Sequence, residues 1–393
     1  MDKKVKILII ANKIVFPTSD GGSVAMANLC NMLGDQKYMI DLISISKNNY
    51  INTINKPIES KQNLYVNQII FQKNMRFNIF NFINSIIQKK SYQASRFYHK
   101  KIHRFIQNKI KKKKYEIIIF ESIFTTVYLS NLEIPPSTTK ILRAHNIEHK
   151  IWRDLANQKK FKKIPFLLLS YQLRIMEENT PKKLDYILTL SKKDETYFKN
   201  IFPKKTYNIP VTFKPKSNNI PKIKNSIFHL GAMDWKPNKE GLNWFLKEVK
   251  PLIEIKKNIK IYIAGKNMPS SYMKYKNKNT IINSRIDNAQ SYINNKEILF
   301  VPLLSGSGIR IKILEAMSIG TPVVSTTQGA DGIPYTHNEN ILIADNPSDF
   351  ANAIHKLIEN KSWARQIGEN GKNLIKQNFS KKSIIEKWKK INP

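Results

Sequence analysis

Apolar runs and polar breaks alternate along this chain in a way that predicts two successive α/β blocks. Val5 to Ala11 is a continuous apolar run, the pattern of a strand covered on both faces. A turn, Phe16-Pro17-Thr18-Ser19-Asp20-Gly21-Gly22, leads from it into a 3.6-residue period from about Ser23 to Leu33, which predicts a helix. Met39–Ile45, Leu64–Phe71, Glu116–Phe120, Lys140–Ala144 and Tyr186–Leu190 read as further strands, and Ser191 with Asp194 and Glu195 behind it opens a capped helix. The lysine- and proline-rich stretch from Pro203 to Lys224 carries no helical period and reads as a linker. A second series follows: Ile227–Gly231, a helix over Lys239–Ile255, Lys260–Ala264, Thr280–Asn283, a helix near Ala289–Ile293 and Ile298–Val301. It ends in a strand, glycine loop, helix and strand over Pro302–Ser325. The last segment, Ser383–Ile391, is amphipathic with Trp388 on its apolar side, long enough to cross back and clamp the first block. The expected organisation is therefore a first domain over 1–205 with 376–393 packing on it, a linker over 206–225, and a second domain over 226–375.

The glycine loop of the second block carries the most chemistry. Ser305-Gly306-Ser307-Gly308 leaves backbone N–H groups open at a helix N-terminus, and Arg310 and Lys312 add two cations within one turn, an arrangement that attracts a phosphate or diphosphate. Glu315, one turn further in, suits a vicinal diol such as a ribose. Wound at about 100° per residue, the helix puts Ile313, Leu314, Ala316 and Met317 on one side and Ile311, Lys312 and Glu315 on the other. The plain alternative is an ordinary αβ unit with a solvated Lys312–Glu315 pair, worth a few tenths of a kcal/mol. In the first block, ligand-type polar groups gather past a strand end, in Arg143-Ala144-His145-Asn146-Ile147-Glu148-His149, where open α/β sheets bind ligands. His145 suits a substrate hydroxyl or phosphate, whereas His149 reads as a helix-face residue. No GxGxxG follows the first strand, which leaves dinucleotide binding weakly supported.

Composition adds a partner question. With 393 residues and 41% hydrophobic content the chain is long enough for two cores, and its formal net charge is +37. The single cysteine, Cys30, excludes an intrachain disulfide and points to a reducing cytosol. The apolar run at the N-terminus is cut by Asn12-Lys13 and reads as a strand, not a secretory signal; no later run approaches a membrane span. From Ser60 to Tyr115 there is no Asp or Glu against fourteen Lys or Arg, interleaved with Phe, Tyr and Ile. Such a stretch suits an anionic membrane surface; ordinary amphipathic helices with solvated lysines are the alternative. Nucleic acid is not expected as a partner, because no helix-turn-helix, RNA-recognition or zinc-finger pattern accompanies the charge.

The turn PTSDGG, the stretches LRAHNIEH, ILTLS and HLGAMDWKPNKEGLNWF, and above all GSGIRIKILEAMSIGTPVVSTTQGADGI, in this order from Val5 to about Ile333, resemble glycosyltransferase family 4. The resemblance implies the GT-B fold, two Rossmann-like domains facing each other across a cleft, and a retaining transfer from a UDP- or GDP-sugar to a lipid-linked or glycan acceptor. Together with the basic stretch it leads to the expectation of an enzyme of cell-surface polysaccharide synthesis, peripherally attached to the inner face of the cytoplasmic membrane. It makes Glu315 the partner of the donor ribose, Arg310 and Lys312 the cations on the diphosphate, and His145 the histidine beside the reacting sugar. Gly306, Ser307, Gly308, Ile309, Ile286 and Lys236 would complete the donor site, and Gly21 and Gly22 the loop approaching phosphate and acceptor. No Asp-x-Asp motif occurs, in keeping with a leaving-group site that needs neither metal nor cofactor. Two departures stand out. Where the family often has a glutamate this chain has Ser307, leaving the backbone amides of Gly306 to Gly308 to make that sugar contact. The family's Arg/Lys pair after the first strand of the second domain is replaced, since Ala232 follows Gly231; Lys236 or Lys239 stands in, and the phosphate charge moves onto Arg310 and Lys312. The alternatives are a nucleotide-sugar epimerase of the same architecture and a non-catalytic basic membrane-binding protein.

Overall fold

A computed structural model describes residues 5–47, 57–59, 65–158, 163–214, 220–255, 258–284, 286, 289–306 and 308–391. The chain divides into two units, Met1–Val211 with Ile385–Pro393 and Thr212–Ile384. Part of the stretch read as linker belongs to the first unit: Thr206–Asn208 is a strand of its sheet, paired with Ile187–Thr189.

The first unit is built on eight strands: β1 (Lys6–Ala11), β2 (Met39–Lys47), β3 (Pro57–Glu59), β4 (Val66–Lys73), β5 (Ile117–Glu121), β6 (Thr139–Ala144), β7 (Tyr186–Thr189) and β8 (Thr206–Asn208). Their order is β3-β4-β2-β1-β5-β6-β7-β8, parallel throughout except that β3 runs antiparallel to β4. The second unit has β9 (Ser226–Leu230), β10 (Lys260–Ala264), β11 (Thr280–Asn283), β12 (Ile298–Val301), β13 (Val323–Ser325) and β14 (Leu342–Ile343), in the order β11-β10-β9-β12-β13-β14. That sheet is wholly parallel. The central strands are buried along nearly their whole length, β5 as IIIFE and β12 as ILFV, which is why they read as unbroken apolar runs. In each sheet the strand order reverses beside the first strand, at β1/β5 and at β9/β12, and the crevice beyond the carboxyl ends there is where such sheets hold ligands.

Most helices follow the sequence pattern, with instructive shifts. The first begins at Gly21, two residues earlier than its apolar period, because Asp20 caps it and closes a reciprocal box with Ser23. The helix expected over Lys239–Ile255 starts at Lys236, behind which Pro237 occupies the first turn. It passes through a wide π-helical turn at Phe245–Val249 before resuming at Lys250–Glu254. Pro251 explains the widening: it has no N–H to give to the preceding turn, and its ring would clash with the carbonyl there. In the helix Ile311–Ser318 the expected apolar face is buried, and Ile311, assigned to the polar side, is buried too. Trp388 is buried in the C-terminal helix Lys381–Ile391, whose residues from Ile385 group with the first unit.

The basic stretch divides into helices Ile79–Ile87, Tyr92–Ser95 and Lys100–Lys112. The last turns the apolar side of its stretch inward. Its apolar residues Ile102, Ile106 and Ile110 sit in the first unit's core with Phe71, Ile118 and Phe120, so its lysines are an ordinary solvated face.

Candidate active site

The polar groups singled out in the sequence lie at the carboxyl ends of the two sheets, and each edge has its own chemistry. In the second unit, β12 ends at Val301 and the chain turns through Ser305, Gly306 and Gly308 into the helix Ile311–Ser318. Gly306 and Gly308 have φ of +93° and +90°, a region that residues with a Cβ rarely occupy. A Cβ on Gly306 would in addition fall 2.9 Å from the Trp235 ring. The loop therefore depends on glycine at these positions. Ser307 lies outside the described residues. Ile309, buried, and Ile286, half-buried, have no polar side chain to offer a ligand.

Arg310 is buried and bound to its own loop. Its guanidinium donates from Nη1 to the Gly308 carbonyl at 2.8 Å and from Nη2 to the Gly306 carbonyl at 2.9 Å, and it lies over the Trp235 ring at 5.1 Å. In this arrangement it braces the loop from beneath, and its charge reaches a ligand as a field. Gln328 adds a third hold by donating to the Gly306 carbonyl. Lys312 is half-buried and donates to Asn238 Oδ1 at 3.2 Å. Burial, with the Arg310 cation beside it, pulls its ammonium down to about 7. An arriving anion would offset both effects by pairing with the charged ammonium. Asn238 is itself buried and fixed by donating to the Ala232 carbonyl at 2.8 Å. Lys236 pairs with Glu240 at 2.8 Å, and the other carboxylate oxygen of Glu240 accepts from Ser305 Oγ at 2.8 Å, so this pair ties the helix Lys236–Trp244 to the start of the loop. Glu315 is half-buried, on the same face of its helix as Lys312.

In the first unit Gly21 and Gly22 form the first turn of the helix Gly21–Asp35. A Cβ on Gly22 would lie 2.8 Å from Lys13 Nζ, which bonds Asp20 at 2.9 Å. The loop before them is held from below by Gln68, fully buried, which accepts from the Phe16 N–H and donates to the Phe16 carbonyl. Next to it stands a buried charge network. Glu121 and Arg143 are register partners on β5 and β6, 0% and 1% exposed, and a carboxylate this deep needs compensating charge. Arg143 Nη1 donates to Glu121 Oε1 at 3.1 Å and to the Ala25 carbonyl at 3.0 Å, linking the sheet to the glycine-turn helix. Glu121 Oε2 lies 2.5 Å from His145 Nε2. Burial works to raise the Glu121 carboxyl, but Arg143 and His145 hold it below the usual range. Burial lowers the imidazole of His145, against the pull of Glu121.

Three residues on, Glu148 is half-buried at the start of the helix Glu148–Gln158 and takes the Asn146 amide at 3.2 Å. Burial raises its carboxyl to about 7, with the Glu177 and Asp194 carboxylates adding to the rise and Asn146 and Lys13 opposing it. His149 is bound to Glu177, as a packed helix-face histidine should be. The sequence reading missed Glu121, Asn238, Glu240 and Gln328. Only Glu121 carried a local signal, a carboxylate closing an otherwise apolar strand. Among the described residues no group of three His, Cys, Asp or Glu is placed to hold a metal ion.

Two sheets in Rossmann order, parallel but for β3 and each with its ligand-type edge, are the architecture of the GT-B class. Residues 224–360 match the family model Glycosyl transferases group 1. Along nearly its full length the chain is 26% identical to an uncharacterized 44.6 kDa protein in the cps region of Klebsiella pneumoniae, an alignment covering 98% of this chain and 100% of that one. Over 53% of this chain and 58% of the relative it is 27% identical to an uncharacterized glycosyltransferase of Methanocaldococcus jannaschii. Among solved structures, S. aureus TarM, in a complex with fondaparinux, α-GlcNAc-glycerol and UDP, superposes with a TM-score of 0.73 at 12% identity, covering 99% of this chain and 100% of that one. The chain is a glycosyltransferase of GT-B fold whose second unit carries the group 1 domain.

Proposed function

We propose that the protein is a retaining, family 4 glycosyltransferase that moves a sugar from a UDP- or GDP-linked donor to a glycan or lipid-linked acceptor in the making of a surface polysaccharide. The observation that carries this reading is the loop at Gly306 and Gly308, open at a helix N-terminus beside Lys312 and braced by Arg310. The second unit takes the donor. Backbone amides of the loop and Lys312 receive the diphosphate, and Glu315 accepts from the ribose hydroxyls.

As the bond from the sugar's anomeric carbon to the diphosphate oxygen breaks, its electron pair goes to the diphosphate. Lys312 and the field of Arg310 stabilise that charge as it develops, the kind of interaction that lowers a barrier because it strengthens in the transition state. The acceptor hydroxyl oxygen forms the new bond, and its proton passes to the departing phosphate oxygen. His145 stands beside the reacting sugar, oriented by Glu121. The nucleotide sugar is a substrate in this scheme, and these side-chain cations serve where other transferases use a metal ion. The cps-region relative and the UDP complex of TarM support the polysaccharide setting and the uridine donor. The test is turnover of a panel of UDP- and GDP-sugars with and without glycan acceptors. Acceptor-dependent release of nucleoside diphosphate is expected, while interconversion of the donor sugar without acceptor would replace this reading with an epimerase.

A further inference from the structure

Among the described residues, most of the large apolar side chains left exposed lie in the first unit, on or beside two helices far apart in sequence. On Ile79–Ile87 and just before it, Phe77, Phe80 and Ile87 are 63%, 78% and 74% exposed; on Lys163–Asn179, Ile164 and Tyr171 are 72% and 63% exposed. Single exposed apolar residues are ordinary, but a contiguous group marks a binding surface. These belong to one region of the first unit, because the two helices are fastened together. Phe82, Tyr92 and Leu169 form a small buried cluster between them, with Phe82 and Tyr92 ring to ring at 5.5 Å. Gln172 crosses the junction twice, accepting from the Tyr92 N–H at 3.0 Å and donating to Ser85 Oγ at 3.1 Å. Such fastening makes a built platform.

Its charge is one-sided. Arg76, Lys89, Lys90 and Lys163 are exposed at the helix ends around it, and no acid occurs from 60 to 115. On the second helix Glu177 is buried against His149, and Glu178 is bridged to Arg174 at 2.7 Å. Glu148, half-buried at the far end, and Asp154 are the carboxylates of the helix Glu148–Gln158, which packs against this second helix. An apolar face ringed by cations complements an anionic bilayer, into which the rings sink while the lysines stay at the headgroups. A second copy of this chain is the poorer match, since it would bring the same cations against themselves, with a net charge of +37 on each copy.

We infer that this two-helix platform, and not the basic helix Lys100–Lys112, is a membrane-docking surface for anionic lipid. The inference stands independently of the donor and acceptor assignments. It also bears on the acceptor, because the helix Glu148–Gln158 runs from the His145 edge into the same hairpin, and eleven residues of helix span about 16 Å. A lipid-linked acceptor held at the bilayer would thus be presented near that edge.

The test is flotation of the full chain with vesicles of phosphatidylcholine alone or mixed with phosphatidylglycerol. Flotation with the anionic vesicles, and little with the neutral ones, is expected. The double variant Phe80→Glu/Ile87→Glu should lose at least about tenfold in vesicle affinity. Lys89→Gln/Lys90→Gln should lose about thirtyfold, from two cations at the surface. Lys109→Glu/Lys112→Glu, on the buried-stripe helix, should change binding least. Circular dichroism and donor hydrolysis check that each variant is folded. Failure of the wild type to float with anionic vesicles overturns the inference, as does unchanged flotation of the Phe80/Ile87 variant. So does a dimer in sedimentation that the same substitutions dissociate while vesicles remain unbound.

Discussion

The two sheet edges use charge in opposite ways. At the β9/β12 edge the ionic groups are chiefly cations packed near backbone amides, and one of them, Lys312, is driven toward neutrality by burial and by Arg310. At the β1/β5 edge, carboxylates and imidazoles are locked to each other: Glu121 to Arg143 and His145, Glu177 to His149. The first edge concentrates positive potential at Lys312, which an incoming anion would relieve. The second pairs most of its charges internally, Glu148 apart, and offers shaped hydrogen-bonding groups instead. The difference is what supports the proposed division of substrate charge, with the diphosphate on the second unit and neutral hydroxyls on the first.

The contrast is broken most violently by unbalancing the paired edge. Glu121→Leu leaves Arg143 buried without its partner, and chemical denaturation should show a loss of about 3–5 kcal/mol. Glu121→Gln retains a hydrogen-bond acceptor and should lose less. If His145 depends on Glu121 for its orientation, as proposed, that variant's turnover should fall more than its stability does. Removing the Lys312 charge acts the other way. Lys312→Met should weaken UDP binding by about 10–100-fold, one charge-assisted hydrogen bond, with thermal stability equal to or above the wild type near pH 7, because a poorly solvated cation has gone. Gly308→Ala introduces a Cβ at a φ of +90°. Calorimetry should show about a five- to thirtyfold weaker UDP affinity, the effect of roughly 1–2 kcal/mol of strain placed in the loop.

Much of this was legible from sequence because buried parallel strands must be unbroken apolar runs and glycine turns follow them. Ile117–Glu121 and Ile298–Val301 are examples of such runs, and the second leads into the glycine loop. The glycine loop with Arg310, Lys312 and Glu315 was legible for the same reason: the chemistry sits within one turn of the punctuation that locates it. What escaped is tertiary. That Arg310 faces its own loop carbonyls depends on Trp235, contributed from 75 residues away. Lys312 meets Asn238, and Glu121 meets Arg143, only because the sheet order brings their strands and loops together. The basic stretch shows the limit most plainly. Periodicity there is the same whether a stripe faces core or solvent, and Lys100–Lys112 buries its stripe while Ile79–Ile87 leaves most of its own exposed.

The smallest effects are in pH. Glu148, raised from its ordinary 4.5 to about 7, binds more protons folded than unfolded between those values. Its stabilising contribution is full below 4.5 and is lost as pH rises through about 7. Lys312, lowered from 10.5 to about 7, binds fewer protons folded than unfolded between those values, so stability rises with pH across that window. Thermal midpoints measured against pH should therefore slope down below about 7 and up above it for these two groups. Glu148→Gln should flatten the lower limb and Lys312→Met the upper one.

The most direct measurement is UDP binding by titration calorimetry near pH 8 in buffers of different ionisation enthalpy. Lys312 with a pKa of about 7 is mostly neutral there, and a diphosphate beside it restores the charge. The wild type should take up a proton on binding, seen as a heat that varies with the buffer, and Lys312→Met should bind more weakly without that uptake. Equal affinity in the two proteins and a buffer-independent heat in the wild type would contradict the placement of the diphosphate on this loop.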